Sequence, residues 1–342
     1  MRSTIARLTL CLMILCGSLV SIPSHAVSIT DIYFKELTLR DGLSDLTILD
    51  IAEDHDGYIW VATLNGLNRY SGYDIKQYLP SESDPFSIPS AKITALFVDA
   101  NNVLWVGTPD GLTRFDKKTD KFHTVSSQDP TNQLGPIGKI IGTADEGMIV
   151  SAGNSLYRWD EQTASLVRYN ENLNISSEIM SLYNEKNRIW IGTIDAGLFI
   201  FDKTTETLYS ALEANPWSIY ISAKVINHIN VIEGMYWIAT DSGLIEIQAN
   251  GTTQELYDKK GFSEGAPFVF FAFKNKEQLW IGTDISLDIY DLNTEKFLSI
   301  GPDTAGLTGL SQRYLLTYHR DSNNNIWIGS YQGLFKYNSE ES

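Results

Sequence analysis

Apolar residues between positions 48 and 73 fall into three short runs, each closed by Asp, Asn or Gly. The stretch reads ILDIAEDHDGYIWVATLNGLNRYSGY. A first run ends in the turn Asp54-His55-Asp56-Gly57, a second runs through Trp60-Val61-Ala62-Thr63 to Asn65-Gly66, and a third reaches Tyr70. Short runs rich in aromatic and β-branched residues, punctuated by turn formers, predict strand, turn, strand, turn, strand. The pattern returns six times, from residues 93–116 to residues 315–338.

Trp60 marks the second strand, and its counterparts are Trp105, Ile149, Trp190, Trp237, Trp280 and Trp327, spaced 41 to 47 residues apart. The third copy, with Ile149 in place of Trp, is degenerate but keeps Leu156 and Trp159-Asp160 of the following strand. A fourth strand follows turns of one grammar, such as Asp116-Lys117-Lys118-Thr119 and Asp291-Leu292-Asn293-Thr294. There an Asp bonds forward to the turn backbone and a Thr three residues on supports it. Repeats of this length made of short strands predict a propeller, not a helical solenoid. The expected fold is all-β: a single seven-bladed β-propeller of four-stranded antiparallel blades over residues 27–338, with a short tail at 339–342.

The last copy runs out after its third strand, while residues 32–38 precede the first copy without a blade of their own. An incomplete last blade would leave an unpaired strand edge, which invites aggregation. Residues 32–38 are therefore expected to be the outermost strand of the seventh blade, antiparallel to 334–338.

The first 26 residues stand outside the pattern. Arg2 and Arg7 precede an apolar run from 8 to 20, and Ser24-His25-Ala26 offers small residues where a signal peptidase reads. This predicts a secretory signal and a periplasmic or secreted protein. Leu10 and Leu15 before Cys11 and Cys16 argue against a lipoprotein signal. Both cysteines would leave with the signal, so neither a disulfide nor a thiolate metal site is expected. The formal charge is −16, and the signal removes two basic residues and no acidic one. So acidic a chain is not expected to bind nucleic acid or anionic lipid, nor to insert into a membrane after cleavage.

Gly42-Leu43-Ser44, Asp54-His55-Asp56-Gly57, Trp60-Val61-Ala62-Thr63, the run from Gly66 to Gly72, and Phe86-Ser87-Ile88 resemble the opening of two-component regulator propellers. The Leu-Trp-Val/Ile-Gly-Thr…Gly-Leu blocks at 104–112 and 189–198 are similar to that family's repeating unit. These propellers are the exported sensor portions of bacterial hybrid histidine kinases and of some diguanylate cyclases. The resemblance implies a sensory module serving a membrane sensor kinase or cyclase. As the sequence stops at Ser342, no output domain is expected in it.

Candidate chemistry is sparse. Six tryptophans are repeat markers and Trp159 fills a third-strand aromatic slot, so packing explains them. Trp217, in Ala214-Asn215-Pro216-Trp217-Ser218-Ile219-Tyr220, belongs to no repeat slot. Loops between blades and turns between second and third strands share one face of a propeller, around the channel mouth, where ligands converge. The turns contribute Asn65, Asp110, Asn154, Asp195, Asp241, Asp284 and Gln332, and backbone geometry alone is a sufficient reason for Asp and Asn there. The connections add Trp217, Tyr220, Lys92, Lys224 and Arg313. Aromatic planes with planar polar partners suit an oligosaccharide, and the cations would suit an acidic one.

An enzyme is the poorer reading. His55, His123, His228 and His319 show no HExxH or other close metal-ligand spacing, and no GxSxG elbow is present. Neither a cofactor, a metal nor a catalytic residue is expected. A secreted propeller lyase or hydrolase acting on a polysaccharide is the enzyme alternative. A protein-binding scaffold, or the remnant of a longer sensor, is the other.

Overall fold

The computed structural model describes residues 32–338 apart from 129–133, 144–146, 170–172, 174, 214, 218, 249–250, 258–266 and 311–313. The expected signal segment and the tail at 339–342 lie outside the described residues. Seven four-stranded antiparallel sheets form the ring. In blade one the strands are Ile48–Glu53, Ile59–Thr63, Gly66–Tyr70 and Ile75–Tyr78, paired in chain order from the inside outward. Blades two to six repeat this order, with first strands at Ala95–Val98, Ile137–Thr143, Ile179–Asn184, Ile226–Ile232 and Val269–Asn275. The degenerate third copy is a full blade, ending in Ser165–Arg168.

Blade seven takes Leu315–Arg320, Ile326–Ser330 and Gly333–Tyr337 from the end of the chain and Phe34–Leu37 from its beginning. The pairing is antiparallel and runs from Phe34 opposite Tyr337 to Leu37 opposite Leu334. Phe34 is buried against Trp280 and Tyr337, so the strand is held by packing as well as by its ladder. The expected closure is the observed one.

The six marker tryptophans are only 0% to 3% exposed, which makes them the inter-blade core. Why the residue two after the marker is so often Gly becomes clear in the packing. A Cβ on Gly107 would lie 2.5 Å from Ile137 Cγ2, one on Gly192 2.6 Å from Ile226 Cγ2, and one on Gly329 2.6 Å from Ile48 Cγ2. In each case the isoleucine opens the first strand of the next blade, and the glycine is the socket that receives it. Gly329 and Ile48 make this contact across the seam, between blade seven and blade one. There the chain adds hydrogen bonds from the Ser322 amide and hydroxyl to the Glu53 carboxylate, 2.6 and 2.7 Å.

Candidate functional site

The turns between second and third strands are organised by a hydroxyl. Thr63 Oγ1 donates to the Gly66 carbonyl at 2.7 Å and accepts the Asn65 amide at 3.1 Å. Thr108, Thr193, Thr240, Thr283 and Ser330 repeat both bonds in their own blades. Within these turns Gly66, Gly111, Gly243 and Gly333 take φ values of 126, 122, 107 and 151°, which favour glycine. The backbone geometry is thus met by Thr and Gly, and the Asn and Asp side chains are not its main support.

Those side chains differ in their surroundings. Asn65, Asp110 and Asn154 are exposed. Asp195 accepts the Ser177 hydroxyl, Asp241 the Ser242 hydroxyl at 3.3 Å, and Asp284 the Phe268 amide at 3.1 Å. Gly66 N–H donates to the Ala91 carbonyl at 2.7 Å and Gly197 N–H to the Lys224 carbonyl at 2.8 Å. These bonds set exposed Lys92 beside the Asn65 turn and exposed Lys224 beside the Asp195 turn. The same face exposes Leu64, Ile194, Ile285 and Tyr331 from the turns, while Tyr220, 60% exposed, belongs to the middle of the connection that carries Trp217. Arg313 lies outside the described residues.

Trp217 is not part of this gathering. The connection carrying it, between Thr207–Ser210 and Ile226–Ile232, is pinned by Asn215. The Asn215 Oδ1 accepts the amides of Trp217 and Ile219 at 3.2 Å each, and its Nδ2 donates to the Ile219 carbonyl at 2.6 Å. So held, Trp217 reaches the opposite end of blade four. It lines a cleft of about 620 Å³ with Glu185, Lys186, Asn187 and Arg188 of the turn between first and second strands, and Asp202 and Thr204 of the turn between third and fourth. The expectation that Trp217 shares the channel-mouth face with the turn acids is therefore corrected. A long, Asn-pinned connection redirects it, and only the first and last residues of that connection need stay near the mouth.

The cleft has its own order. The Arg188 guanidinium lies over the Trp217 ring at 5.0 Å and over Trp190 at 5.5 Å, while its Nε donates to Glu185 at 2.8 Å. Arg188 also donates to the Tyr236 hydroxyl of blade five at 3.2 Å, and that hydroxyl donates to Glu185. Burial first, then the Glu185 hydrogen bond, pushes the Tyr236 phenol well above its ordinary pKa, so it stays protonated. Tyr209 meets Trp217 edge-on at 5.5 Å. Trp217 is half-buried, with part of its ring left to the cleft. The arrangement offers an aromatic surface framed by planar polar groups from Asn187, Arg188, Glu185 and Asp202. Sequence reasoning found Trp217 but missed these partners; the signal was Arg188 directly preceding the buried Ile189-Trp190 pair.

Residues 42–65 and 87–110 match the family model described as two component regulator propeller. Those two blocks carry the likeness to that family's repeat. Over 55 residues it is 42% identical to "Histidine kinase P4" of Formosa agariphila, a match covering 16% of this chain and 4% of that protein. Its fold is similar to the extracellular domain of the hybrid two component system BT3049 from B. thetaiotaomicron, with TM-score 0.74 and 23% identity over 90% of this chain. The corresponding domain of BT4673 gives TM-score 0.72 and 20% identity over 89% of the chain. The chain spans about two fifths of those domains, 41% and 39%. A streptogramin B lyase shares the fold at TM-score 0.63 and 15% identity, covering 90% of this chain and 97% of the lyase. At these identities the structural likenesses establish the propeller fold. No helix among the described residues is long and apolar enough to cross a membrane.

Proposed function

We propose that this propeller is an exported sensory module that binds an oligosaccharide in the Trp217 cleft and serves a membrane sensor kinase or cyclase. The observation that carries the ligand reading is the Asn215-pinned connection, which spends a long loop to set one tryptophan beside Arg188, Glu185 and Asn187. Sugar rings present an apolar C–H face to an aromatic plane and hydroxyls to planar amides, carboxylates and guanidinium groups, the set found here. The signalling reading is supported by the family repeat at both matched blocks and by the fold shared with extracellular domains of two-component systems. The Lys92 and Lys224 side of the ring, with its exposed Leu64, Ile194, Ile285 and Tyr331, is left for contact with other protein domains.

The test is a melting-temperature screen of the exported chain against neutral and acidic oligosaccharides. Ligand at about 100 times its Kd adds roughly 2.7 kcal/mol of stability. At least one oligosaccharide should raise the melting temperature of the wild type and leave Trp217→Ala unmoved. A ligand that stabilises both proteins equally would place the site elsewhere.

A further inference from the structure

In blade two, the same two turns that frame the Trp217 cleft of blade four frame a second cleft, of about 630 Å³. Asn102 and Val103 come from the turn between first and second strands, and Asp116, Lys117 and Lys118 from the turn between the third strand, Gly111–Asp116, and the fourth, Lys121–Thr124. Arg114 and His123 complete the wall, and they stand directly opposite each other in the ladder that joins those two strands. Side chains so paired share one face of a sheet, with Cβ atoms about 5 Å apart.

Three basic side chains and an imidazole thus line one cleft on a chain of formal charge −16. Lys117 is neutralised by Asp56 of blade one, whose Oδ2 also accepts the Asn102 side-chain amide at 3.0 Å. Asp116 is the one carboxylate in the lining among the described residues, and its oxygens serve its own turn. Its Oδ1 accepts the Lys118 amide at 2.9 Å and its Oδ2 the Thr119 hydroxyl at 2.8 Å. The Arg114 guanidinium, the Lys118 ammonium and the His123 imidazole have no hydrogen bond or ion pair among the described residues. Phe86 meets the His123 ring edge-on at 5.5 Å and steadies it.

The freedom of Arg114 is particular to its blade. Arg69 holds the matching place opposite Trp60 in blade one, and lies over Tyr58 at 4.7 Å and over Trp60 at 5.6 Å. Lys336 holds it in blade seven and lies over Trp327 at 5.2 Å. In blade two, Val103 stands where blade one has Tyr58, and Trp105 is met edge-on by Trp159 of blade three at 4.8 Å. No ring takes up the Arg114 charge among the described residues, and the guanidinium is left to the cleft.

A carboxylate would be filled by the arginine fork alone. Three unmet donor groups, from two strands and a turn, call for an anion with more oxygens. We propose that this cleft binds a phosphate dianion, inorganic or at the end of a phosphate monoester, with the Arg114 fork on two oxygens and Lys118 and His123 on the others. The cleft is much larger than a phosphate, which leaves room for the alcohol of an ester. The site is independent of the Trp217 cleft, which belongs to another blade.

The test follows the His123 side-chain resonances of the exported chain at constant pH and ionic strength. Inorganic phosphate should shift them saturably, and acetate and chloride should not. Arg114→Gln and Lys118→Gln, both at exposed positions, should each weaken phosphate binding about tenfold or more, the weight of a charge-assisted hydrogen bond. Lys296→Gln, on the outer strand of blade six, should leave it unchanged. Glycerol phosphate binding as tightly as inorganic phosphate, or more tightly, assigns the site to an ester; weaker binding assigns it to the free ion. An equal response to acetate or chloride, or undiminished phosphate binding in either glutamine variant, would overturn the proposal and leave the cleft a solvated basic face.

Discussion

Trp60 gives its indole N–H to the Asp54 carboxylate, Nε1 to Oδ2 at 2.8 Å, across the turn joining the first two strands of blade one. The other carboxylate oxygen accepts the amides of Asp56 and Tyr58 at 3.0 and 3.1 Å. One side chain thus satisfies the buried indole and shapes the turn. Asp99 with Trp105 and Asp321 with Trp327 do the same at 2.9 and 2.8 Å. In blades four and five, Trp190 and Trp237 have buried indole nitrogens without a partner. Asn184 and Val231 stand six residues before them, where the Asp would be.

This difference is measurable. Asp54→Ala strands a buried donor and should destabilise the protein by about 1–3 kcal/mol. Trp60→Phe breaks the bond and Trp237→Phe breaks none, so chemical denaturation should show the first to be the more damaging. Equal losses would mean that the indole bond adds nothing beyond the area buried.

Ring closure sets the second expectation. Phe34 is fully buried between Trp280 and Tyr337, and Phe34→Ala should cost roughly 3–5 kcal/mol through the cavity it leaves. Deleting residues 27–38 should also bare the edge of Gly333–Tyr337 and promote self-association, seen by light scattering. A deletion variant that stays monomeric with an unchanged melting temperature would show that the seventh blade closes without this strand.

Acid should loosen the fold through the inner histidines. His228 falls from 6.5 to about 3 by burial and by the Lys139 charge, and burial also lowers His319. Between those values the unfolded chain takes up a proton that the folded chain refuses. Stability is then complete above the unfolded value and declines as pH falls, by up to about 1.4 kcal/mol per unit for each group. Carboxylates held low, such as Asp116 by bonds from Thr119 and the Lys118 amide, act only below their ordinary 3.8. His228→Gln should therefore flatten the loss of stability from about pH 6.5 to about pH 4.5. An unchanged slope would move the proton uptake to another group.

The architecture was legible because a propeller writes each blade separately. Trp60 and its counterparts, the Thr63-type strand ends and the Asp116-type turns repeat the same signals from blade to blade, so a single degenerate copy at Ile149 does not hide its blade. The Asp116 and Thr119 roles followed from local chain geometry, which sequence spacing encodes: Asp116 accepts the Lys118 amide at 2.9 Å and the Thr119 hydroxyl at 2.8 Å. The cleft was not legible, because Trp217 and Arg188 come from different elements and meet only after the Asn215 connection folds back. Nor did the sequence show why Gly107 and Gly329 are glycine, since the isoleucines they receive are contributed by other blades.

Titration calorimetry tests the sensory reading most directly, with an oligosaccharide that stabilises the wild type as titrant. Trp217→Ala and Arg188→Ala remove the aromatic surface and its stacking partner, whereas Lys92→Ala and Lys224→Ala alter the opposite face. Cleft binding predicts loss of detectable heat in the first two and wild-type affinity in the second two. Full affinity in Trp217→Ala with loss in Lys224→Ala would contradict it and return the ligand to the channel mouth.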